Sequence, residues 1–482
     1  MTLRDSKTIL TPPQALARYK EDLSVRLADN RMGVLPGVIG TVYFERGSQP
    51  EVRQGILDCF DRFDELFGEH LKGGKDTDLG KFTKRTPAGV EKIRRAIVDT
   101  PSYLEVSVIR SSSTDQDTAA EYSIQTLTGI AADEDYVSPK GWKAYKGQES
   151  GLSYLKFNVP MDLIATDDGI AQYENFLRYV CGKLVVQGGY GGLSPVLAYS
   201  YHRYMPQEWA LAERFSGLEI DSTAHLQSKE YDPVSYEGES VDHMTAFYPG
   251  LHPGAKVGRW GFIKGVNWYT ILGELFVDRL GGEAAIREAL NRPDIHIERI
   301  GSCLLIRAGE FPRLGAPEEG LPEPYVFVNS VLRVLRDPGP DALHTYIPDL
   351  PSADTKNARA WAARFDLPDA APIPEPPTVV PQPVKREPVR LNVRGGSPCP
   401  EAGWWHTPAK AGSRRYFEAG EIMPAIEGSP WGRGGSPCPE AGWWHTPAKA
   451  GSRRYFEAGE IMPAIEGSPW GETYWHWSPS GS

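Results

Sequence analysis

GVIGTVYFERGSQPEVRQGILDCFDRFDELFGEHL, residues 37–71, changes its hydrophobic period half-way. The opening GVIGTVYFER (37–46) has the aromatic and β-branched content of a strand. Beyond it, Ile56, Phe60, Phe63 and Phe67 recur at spacings of four, three and four, while Asp58, Asp61, Asp64 and Glu65 fall elsewhere. That spacing predicts an amphipathic helix with an acidic outer face. The pattern then restarts. LSYLKFNVP (152–160) reads as a strand, and its helix carries Tyr173, Phe176, Leu177, Val180 and Leu184 on one side.

Between the two units, YLEVSVIR (103–110) and EYSIQTLTGI (121–130) read as a strand pair. After them come a strand at LSPVLAYSYHR (193–203), a helix around 268–280 and a short helix at 283–290. A hairpin at IHIERIGSCLLIRA (295–308) and an apolar segment, YVFVNSVLRVL (325–335), complete the series. Several strands follow one another without a helix between them, which argues against a doubly wound parallel sheet. The expected fold is α+β: a mainly antiparallel sheet with helices packed on it, built from two similar halves.

This main domain, 1–367, ends at a linker, 368–393, with eight prolines between Pro368 and Pro388. Such a run excludes helix and central strand and favours an extended spacer. Two identical copies of 39 residues follow, Arg394–Gly432 and Arg433–Gly471. Only the second continues into ETYWHW (472–477). Each copy reads as a small β-rich module in which one face of a Trp pair anchors a core and the other is exposed. The pairs are Trp404/Trp405 and Trp443/Trp444. Copy two, 433–482, has an alternating aromatic run to serve as a closing strand, and copy one, 394–432, lacks it.

The 482 residues are 40% hydrophobic and 24% charged, enough for a sizeable core. The net charge is −11; from Asp369 onward 12 acidic residues face 11 basic ones, so the main domain carries −10. A domain this acidic repels nucleic-acid backbones and anionic membranes, and suits a basic protein partner. No run of about 18 apolar residues provides a membrane helix. The N-terminal sequence shows no apolar secretory core. Five cysteines, odd in number and widely spaced, read as reduced thiols. The expectation is a cytoplasmic protein.

The motifs do not assemble a catalytic, cofactor-binding or metal-binding set. QGGYGGLSP (187–195), with Gly189, Tyr190, Gly191 and Gly192, has Ser194 where a dinucleotide loop would place its third glycine. Its glycines read as a tight turn after a helix. YEGESVDHMTAFYPGLHPG (236–254) gathers Glu237, Glu239, Asp242, His243 and His252. These could bind a metal, do acid–base work or meet a partner, yet the Gly and Pro content reads as a surface loop of solvated charges. Cys399/His406 and Cys438/His445 lack zinc-site spacing. In IKGVNWYTILGELFVDRLGG (263–282), Lys264-Gly265-Val266-Asn267-Trp268 reads as the start of a helix capped by Asn267 and ended by Gly281-Gly282.

FERG (44–47), GYGGL (189–193), KGVNWYTILG (264–273), LGG (280–282) and VNSVLRVLRDPG (328–339) occur in that order. In this they resemble the type VI immunity family, formerly a bacterial domain of unknown function, over about 30–340. The resemblance implies a cytoplasmic, non-enzymatic protein that binds a cognate toxin delivered by type VI secretion. It implies no catalytic residue, and the charge balance points to a basic, nuclease-like toxin. Two other readings compete: an enzyme reversing toxin damage through the 236–254 loop, and an adaptor or chaperone that loads an effector.

Overall fold

The computed structural model describes residues 11–76, 81–131, 151–231, 259–345 and 350–370. It also describes 136–137, 143–144, 149, 234–235, 372–373 and short stretches between 398 and 478. The chain divides into two compact units, Met1–Pro381 and Gln382–Ser482, so the boundary falls inside the Pro-rich linker.

The first unit is built on one eleven-stranded sheet in which every pairing is antiparallel. Its longer strands are β1 (Met32–Phe44), β2 (Gly73–Lys75), β3 (Ser107–Ser111), β4 (Ser123–Leu127), β5 (Ser153–Pro160), β6 (Val186–Leu197), β7 (Tyr269–Gly273), β8 (Ile295–Ile300) and β9 (Cys303–Ala308). Across the sheet they run β8–β9–β7–β6–β1–β5–β4–β3–β2. Thr83–Lys84 extends the β2 edge, and Val25–Arg26 pairs with the start of β1.

The strand–helix units at 37–71 and 152–184 form as their periods predict. Helix α1 (Pro50–Phe67) starts on a proline, whose missing N–H costs nothing in a first turn. Helix α2 (Pro87–Val98) lies beside it, with Thr86 capping Gly89 N. In α3 (Asp167–Lys183), the Thr166 side chain accepts from Gly169 N. Ile56, Phe60, Phe63 and Phe67 of α1 are buried, as are Tyr173, Phe176, Leu177 and Val180 of α3. The Phe63 ring lies 5.2 Å from Phe176 and 6.3 Å from Phe157 of β5. Each such buried side chain contributes about 1.5–3 kcal/mol.

Over β6 and β1 the opposite face is covered differently. Helix α4 (Met205–Arg214) leads into the 219–223 segment and helix α5 (Ala224–Tyr231), whose Tyr231 ring stacks on Tyr43 at 4.6 Å. Over β3, β4 and β5 a cleft lies on this face.

Two expectations are corrected. QGGYGGLSP is not a turn: it is the body of β6, paired with β1 on one side and β7 on the other. YTILG is not the first turn of a helix: it is β7, between β6 and β9. Only Glu274–Arg279 is helical there (α6). Both stretches are fully buried, and a short apolar run buried on all sides has the same pattern in either state. Gly281 and Gly282, with φ of +86° and +93°, do end α6. Helix α7 (Glu283–Ala289) and the β8–β9 hairpin lie where expected, and most of the apolar segment 325–335 falls in helix α8 (Glu323–Leu332).

The second unit is β-rich. In copy one, β10 (Gly403–Trp405) pairs with β11 (Arg415–Phe417). Copy two contributes β13 (Gly442–His445), β14 (Arg454–Phe456) and β15 (Tyr474–Ser478); β12 (Trp431–Arg433) joins them in the order β12–β15–β13–β14. Trp443 is 42% exposed, whereas Trp444 is buried with Cys438, Phe456 and Met462. All five cysteines are buried.

Candidate functional site

The antiparallel register lines up a row across one face of the sheet: Thr270, Tyr190, Thr41, Lys156 and Gln125 are successive partners on β7, β6, β1, β5 and β4. The neighbouring row on the other face is Tyr269, Gly191, Gly40 and Phe157. Alternation along β6 therefore points Tyr190 one way and its flanking glycines the other.

Gly191 and, one residue on, Gly192 admit a helix and a loop at close range. A Cβ on Gly191 would overlap the Tyr173 hydroxyl of α3, which donates to Ile39 O at 2.7 Å. A Cβ on Gly192 would overlap Asn267 Oδ1. Thus one motif is small because the other is close. Around Gly265, by contrast, nothing lies within 4 Å of a Cβ position.

Lys264 enters the same place from the loop before β7. Its Nζ lies 2.6 Å from Glu219 Oε1, donates to Gln227 Oε1 at 3.0 Å and to Ile220 O, and sits 4.5 Å from the Tyr190 ring centroid. Asn267 is not a helix cap. Its Nδ2 donates to Glu219 Oε2 at 2.9 Å, and its Oδ1 accepts from Trp268 N at 2.7 Å. Trp268 is fully buried, stacks on Tyr173 and donates Nε1–H to Gly309 O. GYGGL and KGVNW thus meet on Glu219, a residue the sequence reading missed. The signal for it was a lone charged residue in the stretch from Phe215 to Ile220.

A second buried set holds the 219–223 segment. Glu208 Oε1 accepts from Asp221 N and Ser222 N at 3.0 and 3.1 Å. Its Oε2 accepts from Ser222 Oγ and lies 2.8 Å from His344 Nε2. His344 Nδ1 accepts from Ala353 N, so Nε2 carries the hydrogen that Glu208 receives. Burial alone would raise the Glu208 carboxyl; His344, Ser222 and the Asp221 amide outweigh it and hold it low.

The open face beside this junction holds a cleft of about 520 Å³. Lys156, Gln125, Ser123 and Asn158 are among the lining residues from β4 and β5, with Tyr199, Tyr201, His202, Asp221 and His225 from the segments that border it. Lys156 Nζ donates to Asp221 O at 2.8 Å and lies 3.3 Å from Asp221 Oδ2. Asp221 Oδ1 in turn accepts from Thr41 and Tyr190. Burial, with Lys156 and His202 beside it, pushes the His225 imidazole down. Among the described residues no cluster of three or more His, Cys, Asp or Glu side chains is arranged for a metal.

Glu237, Glu239, Asp242, His243 and His252 lie outside the described residues. Trp404 and Trp405 lie in β10, and Trp443 and Trp444 in β13.

A family model described as type VI immunity for VRR-NUC matches residues 55–234 and 233–365. The chain belongs to that family. The matched span holds the whole junction of Gly189–Gly192, Glu219 and Lys264–Trp268. Among solved structures, the chain is similar to the T6SS protein PA0821 of Pseudomonas aeruginosa. The identity is 22% and the TM-score 0.57, over 74% of this chain and 92% of that one. At that identity the likeness is one of fold. No curated protein matches. Among the described residues no helix is long and apolar enough to cross a membrane.

Proposed function

We propose that this protein is the cytoplasmic, non-enzymatic immunity partner of a VRR-NUC nuclease effector, which it silences by binding one to one. The observation that carries the reading is the family match over 55–365, which spans the sheet from β2 to β9 and both motifs. The charge of −10 on the main domain supports a basic partner and fast, steered association. The recurrence of a long strand followed by a helix, at Met32–Phe67 and again at Ser153–Lys183, supports two similar halves within one immunity domain.

The test is a titration of the VRR-NUC protein from the neighbouring reading frame with the full chain, scored by DNA cleavage. Cleavage should fall linearly and vanish at equimolar ratio. Association should slow as salt rises, because steering is screened. Protection by far less than one equivalent would mean turnover, and the enzyme reading would replace this one.

A further inference from the structure

We infer that the open cleft over β3, β4 and β5 is the contact site for an arginine-bearing loop of the nuclease effector. The inference rests on the binding reading above and adds where the effector docks and by what chemistry.

The helices α1, α2 and α3 occupy one face of the sheet, while α5 and the 219–223 segment lie over β6, β1 and part of β5 of the other. The neighbouring strands therefore present outward-pointing polar side chains, Ser123, Gln125, Lys156 and Asn158, as a floor. Tyr154 extends that floor along β5, and the 195–202 segment walls it. A volume of about 520 Å³ lies within the usual range of about 300–1,000 Å³ for recessed sites.

The lining chooses the occupant. Asp221 is already paired with Lys156, so the carboxylates of Glu105 and Asp115 set the net charge of the lining. Tyr154, Tyr199 and Tyr201 add flat rings with polar tips, the side chains that recur where proteins bind one another. A guanidinium is the cation that suits both features. It stacks its plane on a tyrosine ring and forks onto a carboxylate, where a compact ammonium offers only a point charge. The protein already places a cation against one of these rings: Lys75 Nζ lies 4.7 Å from the Tyr199 centroid. The overall negative charge draws a basic surface toward this face before contact is made.

The junction behind the cleft keeps its shape. Asp221 is held by Thr41, Tyr190 and Lys156, and the segment carrying it is held by Glu208 and His344. The motif residues therefore act on binding through the wall of the cleft and not by touching the effector.

The experiment uses the full chain and a cleavage-dead VRR-NUC effector. Glu105→Lys reverses charge at the rim, and Gln125→Trp fills the floor. Glu65→Lys, on the outer side of α1, is the control on the opposite face. Calorimetry should show each cleft variant binding at least about tenfold more weakly than wild type, and the control within about twofold. Hydrogen exchange of the wild-type complex should slow at 105–127 and 195–202, a readout that stands even if Gln125→Trp fails to fold. Wild-type affinity in a folded Glu105→Lys, with no slowing at those segments, would overturn the cleft while leaving the immunity reading intact. Failure of the wild-type chain to bind the effector at all would sink both.

Discussion

Lys264 and Glu219 form an ion pair at 2.6 Å with both side chains at most 3% exposed. The pair ties the loop before β7 to the segment after α4, and Asn267 and Gln227 satisfy groups it leaves over. Removing one partner strands the other charge in the interior. Lys264→Met should cost about 3–5 kcal/mol, and Glu219→Gln a similar amount. The double variant should cost less than their sum. Urea unfolding of the four proteins checks this, and strict additivity would show that the pair is not coupled.

Gly192 and Asn267 should be coupled for a steric reason. Gly192→Ala drives a methyl group into Asn267 Oδ1 and should destabilise by about 2–3 kcal/mol. Asn267→Ala strips partners from Glu219 and Trp268 N and should cost about 1–3 kcal/mol. Combined, the alanine at 267 makes room for the alanine at 192, so the second substitution should cost less in the Asn267→Ala background. Melting temperatures of the two singles and the double decide it. Trp268→Ala is expected to cost about 3–5 kcal/mol in the same assay.

Asp366 gives the fold an acid limit. Its carboxylate accepts from Arg336 at 2.9 and 2.6 Å, from Asn329 at 2.9 Å and from Arg333 at 3.4 Å. Burial alone would raise it; these bonds prevail and hold it far below the usual carboxylate range. A folded pKa below the unfolded value, about 3.9, stabilises above that pH and fades as pH falls toward the folded pKa. Asp366→Asn should therefore be less stable than wild type at pH 7, by about 3 kcal/mol. The gap should begin to narrow only below about pH 4. Unfolding curves at pH 7, 4 and 3 test the sign, and a gap that widened in acid would contradict it.

The identical copies of the C-terminal unit should differ in exchange. β13 pairs with β14 on one side and β15 on the other, whereas β10 pairs with β11 alone among the described residues. Amides of Gly442–His445 should exchange more slowly than those of Gly403–Trp405. Deleting 472–482 should erase that difference. Equal rates in the intact chain would show that the module closes without ETYWHW.

The elements that were legible in the sequence have one wet side. Phe60 and Phe63 alternate with Asp58, Asp61 and Asp64 because α1 faces water, so its period is written in polarity. Tyr269, Thr270, Ile271 and Leu272 carry no such contrast. Strand β7 is dry on both faces, and the pattern that misread it as helix is common to both states. Gly189–Gly192 looked like a turn because glycine is enriched in turns. Here its absent side chain is used for close approach by Tyr173 and Asn267, which only the tertiary pairing reveals. Likewise Lys264 and Asn267 were conspicuous, but their shared partner Glu219 stands more than forty residues away and belongs to no quoted motif. The cleft was invisible for the same reason: its lining comes from strands whose adjacency is set by register.

Strand β1 is synthesised early, yet both strands that flank it come much later: Val34 waits for Leu197, and Gly37 waits for Pro160. Gly188 in turn waits for Leu272, and Gly273 for Cys303. Pairings this distant make folding slow and leave strand edges bare on the nascent chain. The sheet is not whole until the ribosome has passed residue 308. If the protein acts as we propose, protection at the moment of attack comes from chains completed beforehand.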